Sequence, residues 1–105
     1  MIQIEYDNAN VPDQDVEALS KAVRDIVSEA TGIADVFVYA NTAKIKVQIA
    51  PIEIFVQMSA QKIADADALV AEIKAKLVEW KAVSGFKHPI NLTLIPMSWK
   101  IEIGI

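Results

Sequence analysis

The sequence repeats one pattern of apolar and polar residues. A strand pattern, an amphipathic helix pattern and a second strand pattern run from Ile2 to about Val38, and the same order returns from Ile52 to about Ile95. A strand that follows a helix in the same sheet returns beside the first strand by a right-handed crossover. Two such β-α-β units predict an α+β fold, in which a four-stranded mixed sheet carries both helices on one face. The 105 residues are expected to form a single domain of two pseudo-repeats, about 1–50 and 51–105.

In the first repeat, Ile2, Ile4 and Tyr6 alternate with polar residues, which predicts a strand with one apolar face. A helix is predicted between Pro12 and Gly32, because proline suits a helix start and glycine a helix end. Residues 36–40 form a continuous apolar run, which is typical of a strand covered on both faces. Residues 44–49 alternate strictly and indicate an exposed edge strand.

In the second repeat, residues 52–58 predict a central strand and about 65–83 a helix that ends at Gly85. One buried ridge is expected on that helix, formed by Leu69, Ile73, Leu77 and Trp80. A further strand is predicted over about 91–95, closed by Pro96. The tail alternates again at Trp99, Ile101 and Ile103, which indicates a terminal edge strand that can pair with another chain.

Composition narrows the classes of function. Hydrophobic residues make up 53% of the chain, above the roughly 45–50% of a typical soluble domain, so a subunit interface is expected. The absence of cysteine excludes disulfides and thiolate metal sites. One histidine and a net charge of −4 argue against a histidine-rich metal centre and against a nucleic-acid surface. No cofactor is expected. Without a leader or a membrane-length apolar run, a soluble cytoplasmic protein with no membrane partner is expected.

Several short motifs follow one another in an informative order. Asn10-Val11-Pro12 opens the first helix, Ala30-Thr31-Gly32 closes it, and Ser59-Ala60-Gln61-Lys62-Ile63 follows the central strand. Pro96-Met97 and Trp99 stand at the end of the last strand. Together these motifs resemble the tautomerase superfamily, which includes macrophage migration inhibitory factor. A bacterial family of the same fold looks similar too, through Asn41-Thr42 and Ile95-Pro96, and the resemblance covers about residues 1–99.

The resemblance implies a homotrimer whose sheets enclose a central barrel, with three pockets between neighbouring subunits. Tautomerases use an N-terminal proline as the base that moves a proton between carbon and oxygen of an enol or 2-oxo acid. A small anionic metabolite is therefore the implied ligand. The implied substrate-binding residues are Ile2, Ile33, Ser59, Ala60, Lys62 and, from a neighbouring subunit, Asn91 and Thr93.

The chain departs from that family at the position of the base. Residue 2 is isoleucine, which is too large for normal methionine removal, so Met1 is expected to stay. The terminal group is then a primary amine with an ordinary pKa of about 7.7–8.0. Such an amine can accept a proton or form an imine, so Met1 is the candidate catalytic residue. Ile33 stands where the inhibitory factor has a pocket lysine, and the sequence leaves open whether the chain is an enzyme.

Other candidate residues have simpler structural explanations. Arg24, the only arginine, could bind a substrate carboxylate, but a solvated helix face explains it. His88 could be catalytic, but it lies in a loop before a proline, where a lone histidine usually caps or faces solvent. Lys44 and Lys46 could meet an anionic ligand, but charges of this kind also protect edge strands from aggregation. Two further hypotheses for the whole chain stay open. One is a trimeric binding or structural protein that has lost tautomerase activity, and the other is a monomeric ferredoxin-like binding domain.

Overall fold

A computed structural model describes all residues of the chain, 1–105. Its elements are β1 (Ile2–Tyr6), α1 (Asp13–Thr31), β2 (Val38–Asn41), β3 (Ile52–Ser59), a short 3-10 turn (Ala60–Lys62), α2 (Ala66–Ser84) and β4 (Asn91–Met97). The four strands form one sheet in the order β2-β1-β3-β4. β1 is antiparallel to β3, while β1–β2 and β3–β4 are parallel pairs. The predicted four-stranded mixed sheet with two β-α-β units is confirmed.

Both helices begin and end where the sequence predicts. α1 follows Pro12, and its end is capped by Gly32, whose φ of 73° is a left-handed conformation that favours glycine. α2 starts at an Asp65 cap, whose carboxylate accepts a hydrogen bond from the Ala68 amide at 3.1 Å. Gly85 ends α2 with a φ of 75°.

One hydrophobic core joins the sheet to the helices. All 13 buried residues are apolar, and they form a single cluster. One face of the two central strands supplies Ile2, Ile4, Ile52, Ile54, Val56 and Met58 to it. The helices supply Val16, Leu19, Val23 and Val27 from α1, and Ile73 and Leu77 from α2. Both helices therefore cover the same face of the sheet, as predicted.

The opposite face of the sheet, called the outer face below, carries no helix. Alternation along the strands assigns to it Gln3, Glu5, Tyr39, Asn41, Glu53, Phe55, Gln57, Asn91, Thr93 and Ile95. Most of these side chains are polar, so this face does not hold the apolar surplus of the composition. Most of the exposed large apolar side chains lie instead at the two sheet edges and in the segments next to them, while Val78 and Val83 lie on α2.

Three segments differ from the strands that their patterns predict. β2 covers residues 38–41 at an open sheet edge, and Tyr39 is 53% exposed, so this strand is not covered on both faces. Residues 42–50 form an irregular loop in which Ile45 and Val47 are 82% and 97% exposed. Residues 98–105 are likewise not a strand. An alternating segment becomes a strand only when it pairs with another strand, and within one chain neither segment does so.

β4 is the other edge of the sheet and extends past its predicted end. Pro96 lies inside the strand, opposite Met58, instead of closing it. An edge strand has one side without ladder hydrogen bonds, so it tolerates a residue that has no amide proton. No helix of the structure combines the length and the apolarity needed to cross a membrane.

The turn between β1 and α1 holds the 42–50 loop in place. The Asp7 carboxylate accepts hydrogen bonds from the Asn10 side chain at 2.7 Å, the Ala9 amide at 3.1 Å and the Lys46 ammonium at 3.3 Å. Lys46 also donates to the Asn8 side chain. These donors, with Asn10 first, lower the pKa of Asp7 below its ordinary value of 3.8. Lys46 thus contacts the turn and is not directed at a pocket.

Truncation of the central strand should be costly. We expect Ile54→Ala to lower the free energy of unfolding by about 2–5 kcal/mol, because its side chain is fully buried and leaves a cavity. Val83→Ala, at an 85% exposed helix position, should change it by less than about 0.5 kcal/mol. Urea unfolding measures both values, and equal effects at the two positions would contradict the assigned core.

The Asp7 turn should make stability depend on pH on the acidic side. Because the pKa of Asp7 is lower in the folded chain, its stabilisation is present above the ordinary value of 3.8 and is lost as pH falls through the folded pKa. We therefore expect the difference in unfolding free energy between the native chain and Asp7→Asn to shrink on acidification. A difference that stays constant with pH would show that the charge of Asp7 contributes nothing.

Candidate functional site

The Met1 amine lies at the end of the two central strands. It donates a hydrogen bond to the Gln57 carbonyl at 2.8 Å, and the Gln57 amide donates back to the Met1 carbonyl at 2.8 Å. Met1 therefore extends the β1–β3 ladder by one residue pair. Its side chain is 47% exposed, so the amine sits at an open end of the sheet.

Burial lowers the pKa of the Met1 amine below its ordinary value of 8.0. No charged side chain contributes to this shift. The one hydrogen-bond partner of the amine is a carbonyl, which accepts. When the amine is neutral, it can still donate a hydrogen bond to the Gln57 carbonyl, and no protein donor binds its lone pair. This group can act as a base or as a nucleophile toward a carbonyl carbon.

Residue 2 is a core residue in this structure. The Ile2 side chain is fully buried beneath the helices, and its amide donates to the Phe37 carbonyl at 2.8 Å. Its backbone nitrogen is therefore committed to the sheet. Its role in substrate binding stays a prediction.

Four other predicted site residues lie at the same end of the sheet, where β1 begins and β3 ends. Ile33 follows α1, and its carbonyl accepts from the Ser28 hydroxyl at 2.6 Å. Ser59 and Ala60 stand at the 3-10 turn, where the Ser59 hydroxyl accepts from the Gln61 amide at 3.4 Å. Lys62 lines a cleft of about 250 Å³ on the helix side of the sheet, together with Asp65 and Glu72.

Asn91 and Thr93 lie further along the sheet on the outer face. Asn91 pairs with Glu53, to which its side chain donates at 3.0 Å, and Thr93 pairs with Phe55. Along β3, Glu53 is four residues from Gln57, the partner of Met1, which is about 13 Å at the usual rise of a strand. Asn91 is therefore far from the Met1 amine of its own chain, while Thr93 is two residues closer along the sheet but lies on β4, separated from β1 by β3. The contribution of both residues to a neighbour's pocket stays a prediction.

His88 and Arg24 have structural partners away from Met1. The His88 ring contacts the Asp15 carboxylate at 3.0 Å and links the loop before β4 to the start of α1. Arg24 pairs with Asp25 on the exposed side of α1. The His88–Asp15 contact joins residues 73 positions apart, and no local motif signals it. No group of three His, Cys, Asp or Glu side chains gathers into a possible metal site.

The titration of the Met1 amine should differ between the folded and unfolded chain. We expect competitive labelling by trace acetic anhydride to give a midpoint below 8.0 when folded, and a midpoint near 8.0 in urea. The neutral form is favoured by folding, so this contribution to stability is present above 8.0 and is lost as pH falls through the folded pKa. Identical midpoints would show that burial does not perturb the amine.

No family model matches the sequence, and no curated protein matches it. Solved structures do match the fold. A malonate semialdehyde decarboxylase aligns with a TM-score of 0.73 at 10% identity, over 100% of this chain and 92% of that one. A fused 4-OT symmetric trimer gives 0.64 at 18% identity, over 99% and 93%. Macrophage migration inhibitory factor from Toxoplasma gondii gives 0.61 at 21% identity, over 98% and 96%. The predicted resemblance is confirmed at the level of fold: this chain has the fold of the tautomerase superfamily.

Proposed function

We propose that the chain is a homotrimeric isomerase whose Met1 amine moves a proton between the carbon and the oxygen of a small carbonyl compound. The observation that carries this proposal is the state of the amine. Burial lowers its pKa, and its one hydrogen-bond partner accepts and does not donate. The fold adds support, because one of the similar structures is a malonate semialdehyde decarboxylase.

The proposed step needs only the amine and the substrate. The neutral amine takes a proton from the carbon beside the carbonyl group, the electron pair moves to the carbonyl oxygen, and the ammonium returns the proton to that oxygen. The amine is neutral again at the end. A pKa below 8.0 keeps a larger share of the amine neutral near pH 7 than an exposed terminus would have. The enol or 2-oxo acid that the sequence predicts as substrate stays a prediction.

The assembly is proposed from the two open edges of the sheet. The 42–50 loop and the tail, residues 98–105, make no backbone hydrogen bonds, yet both alternate like strands. Ile45, Val47, Ile101 and Ile103 are all more than 60% exposed. An exposed alternating segment beside an open strand edge is suited to pairing with another copy. In the proposed trimer, Asn91 and Thr93 of one subunit approach the Met1 amine of the next.

A non-catalytic trimer is the second candidate function. This candidate is favoured by residue 2, because the Ile2 amide donates to the Phe37 carbonyl and the Ile2 side chain is buried. The nitrogen at the position where tautomerases carry their base is thus a strand amide here. In this case the chain would bind or support other molecules without exchanging their protons.

Proton exchange tests the proposed activity. In D₂O, we expect the chain to accelerate deuterium incorporation beside the carbonyl group of 2-oxobutanoate or of butanal, as followed by proton NMR. Selective acetylation of the Met1 amine should lower the catalysed rate by about a hundredfold or more, the usual share of general acid–base catalysis. Arg24→Gln, a change on the exposed face of α1, is the control and should leave the rate unchanged. Buffer-level exchange of both compounds would support the non-catalytic trimer.

A matched pair of variants tests the assembly. Val47→Asp places a charge at a 97% exposed loop position in the proposed interface, and Val83→Asp places one at an 85% exposed position on α2. We expect light scattering to show a smaller assembly for Val47→Asp alone, because burying an unpaired charge in an interface is unfavourable. Equal masses for the two variants would exclude the 42–50 loop from the interface.

A further inference from the structure

The strand residues that pair in register with Met1 carry no charged side chain. The amine pairs with Gln57, which is next to Ile95 on β4. On the other side, Phe37 precedes Val38, the register partner of Ile2, and therefore flanks Met1. Phe37, Met1, Gln57 and Ile95 thus form one row across the outer face. Every side chain in this row is uncharged, and Phe37 and Ile95 are large and apolar.

The next row of the outer face also consists of uncharged side chains. Gln3 lies between Tyr39 on β2 and Phe55 on β3. Carboxylates appear only in the following row, where Glu5 is directly opposite Glu53. These two groups are about 13 Å along the strand from Met1, and their negative charge disfavours an anion.

Arg24, Lys46 and Lys62 are placed away from these strand residues. Arg24 pairs with Asp25 on α1, and Lys46 pairs with Asp7 beneath the 42–50 loop. Lys62 follows β3 at the same end of the sheet, but it lines the helix-side cleft with Asp65 and Glu72. The absence of any charged contribution to the titration of the amine agrees with this placement.

We infer that the Met1 site takes an uncharged, apolar aldehyde or ketone in preference to a carbonyl compound that carries a carboxylate. The inference rests on the proposed function, because it concerns the substrate of the same amine. A carboxylate held beside Met1 would be partly desolvated without an opposite charge, which is unfavourable. An alkyl or aryl chain would instead lie against Phe37, Tyr39 and Ile95. The proposed substrate is therefore a neutral carbonyl compound, in contrast to the small anionic metabolite that the family resemblance implies.

The preference can be measured through imine formation at Met1. The amine nitrogen bonds to the carbonyl carbon, and the carbonyl oxygen leaves as water with both amine protons, which gives a carbon–nitrogen double bond. Cyanoborohydride, added as the reagent, reduces this bond to a stable secondary amine. Butanal and succinic semialdehyde form a matched pair, since both are four-carbon aldehydes and differ by one carboxylate. The synthetic peptide Met-Ile-Gln-Ile-Glu-Tyr provides the intrinsic reactivity of the same terminus toward each aldehyde.

We expect the rate of trapping at Met1, divided by the peptide rate, to be about tenfold higher for butanal than for succinic semialdehyde. Peptide mass mapping locates the adduct and separates it from lysine adducts. Gln3→Lys places a cation two residues from Met1 on the same face and should remove or reverse the preference, while Gln3→Met should keep it. Thermal unfolding of both variants shows whether they fold.

The two possible failures are distinguishable. If neither aldehyde reacts at Met1 faster than with the peptide, the amine is not a site, and the proposed function fails together with this inference. If both react faster but succinic semialdehyde equals or exceeds butanal, the amine site stands and the inference about charge is wrong. That second result would mean that a neighbouring subunit supplies a cation.

Discussion

The antiparallel pairing of β1 with β3 is the interaction on which the rest of the structure depends. It joins the two β-α-β units at the middle of the sheet, with Ile4 opposite Ile54. The same register puts the apolar side chains of both strands on the face that the helices cover. It also continues one residue further, to the Met1–Gln57 pair, and so holds the terminal amine at the end of the sheet. A slip of one residue would turn the core side chains outward and release the amine.

Most of the fold could be predicted from local patterns because the core is made by them. Alternation at Ile2 and Ile4, helical spacing between Pro12 and Gly32, and the Asp65 cap each act within a few residues. The predictions that differ from the structure concern pairing. Residues 44–49 alternate as a strand does, but a strand needs a partner edge, and periodicity carries no information about where that edge is. The continuous apolar run 36–40 predicts a strand covered on both faces, but it forms the edge strand β2 and the two residues before it.

The candidate site was predictable in part. Isoleucine at residue 2 predicts that Met1 stays and offers its amine, and in the structure this amine donates to a carbonyl and burial lowers its pKa. Its catalytic role stays a prediction. The uncharged row of Phe37, Gln57 and Ile95 could not be foreseen, because it depends on the register of three strands. The same is true of the distance between Met1 and Asn91, which places these two predicted site residues too far apart to act together in one chain. A pocket that uses both needs a second subunit.

We propose that copies of the chain complete one another's sheets and thereby build the site. Amide hydrogen exchange of residues 44–49 and 99–103 tests it most directly, since these amides have no acceptor within the chain. Our account predicts that their exchange is slow, as in β1 and β3, and becomes faster on dilution as the assembly dissociates. Exchange at the rate of an unfolded peptide at every concentration would contradict the account. The Met1 amine would then stand at the open end of a single sheet, without a neighbour to enclose a substrate.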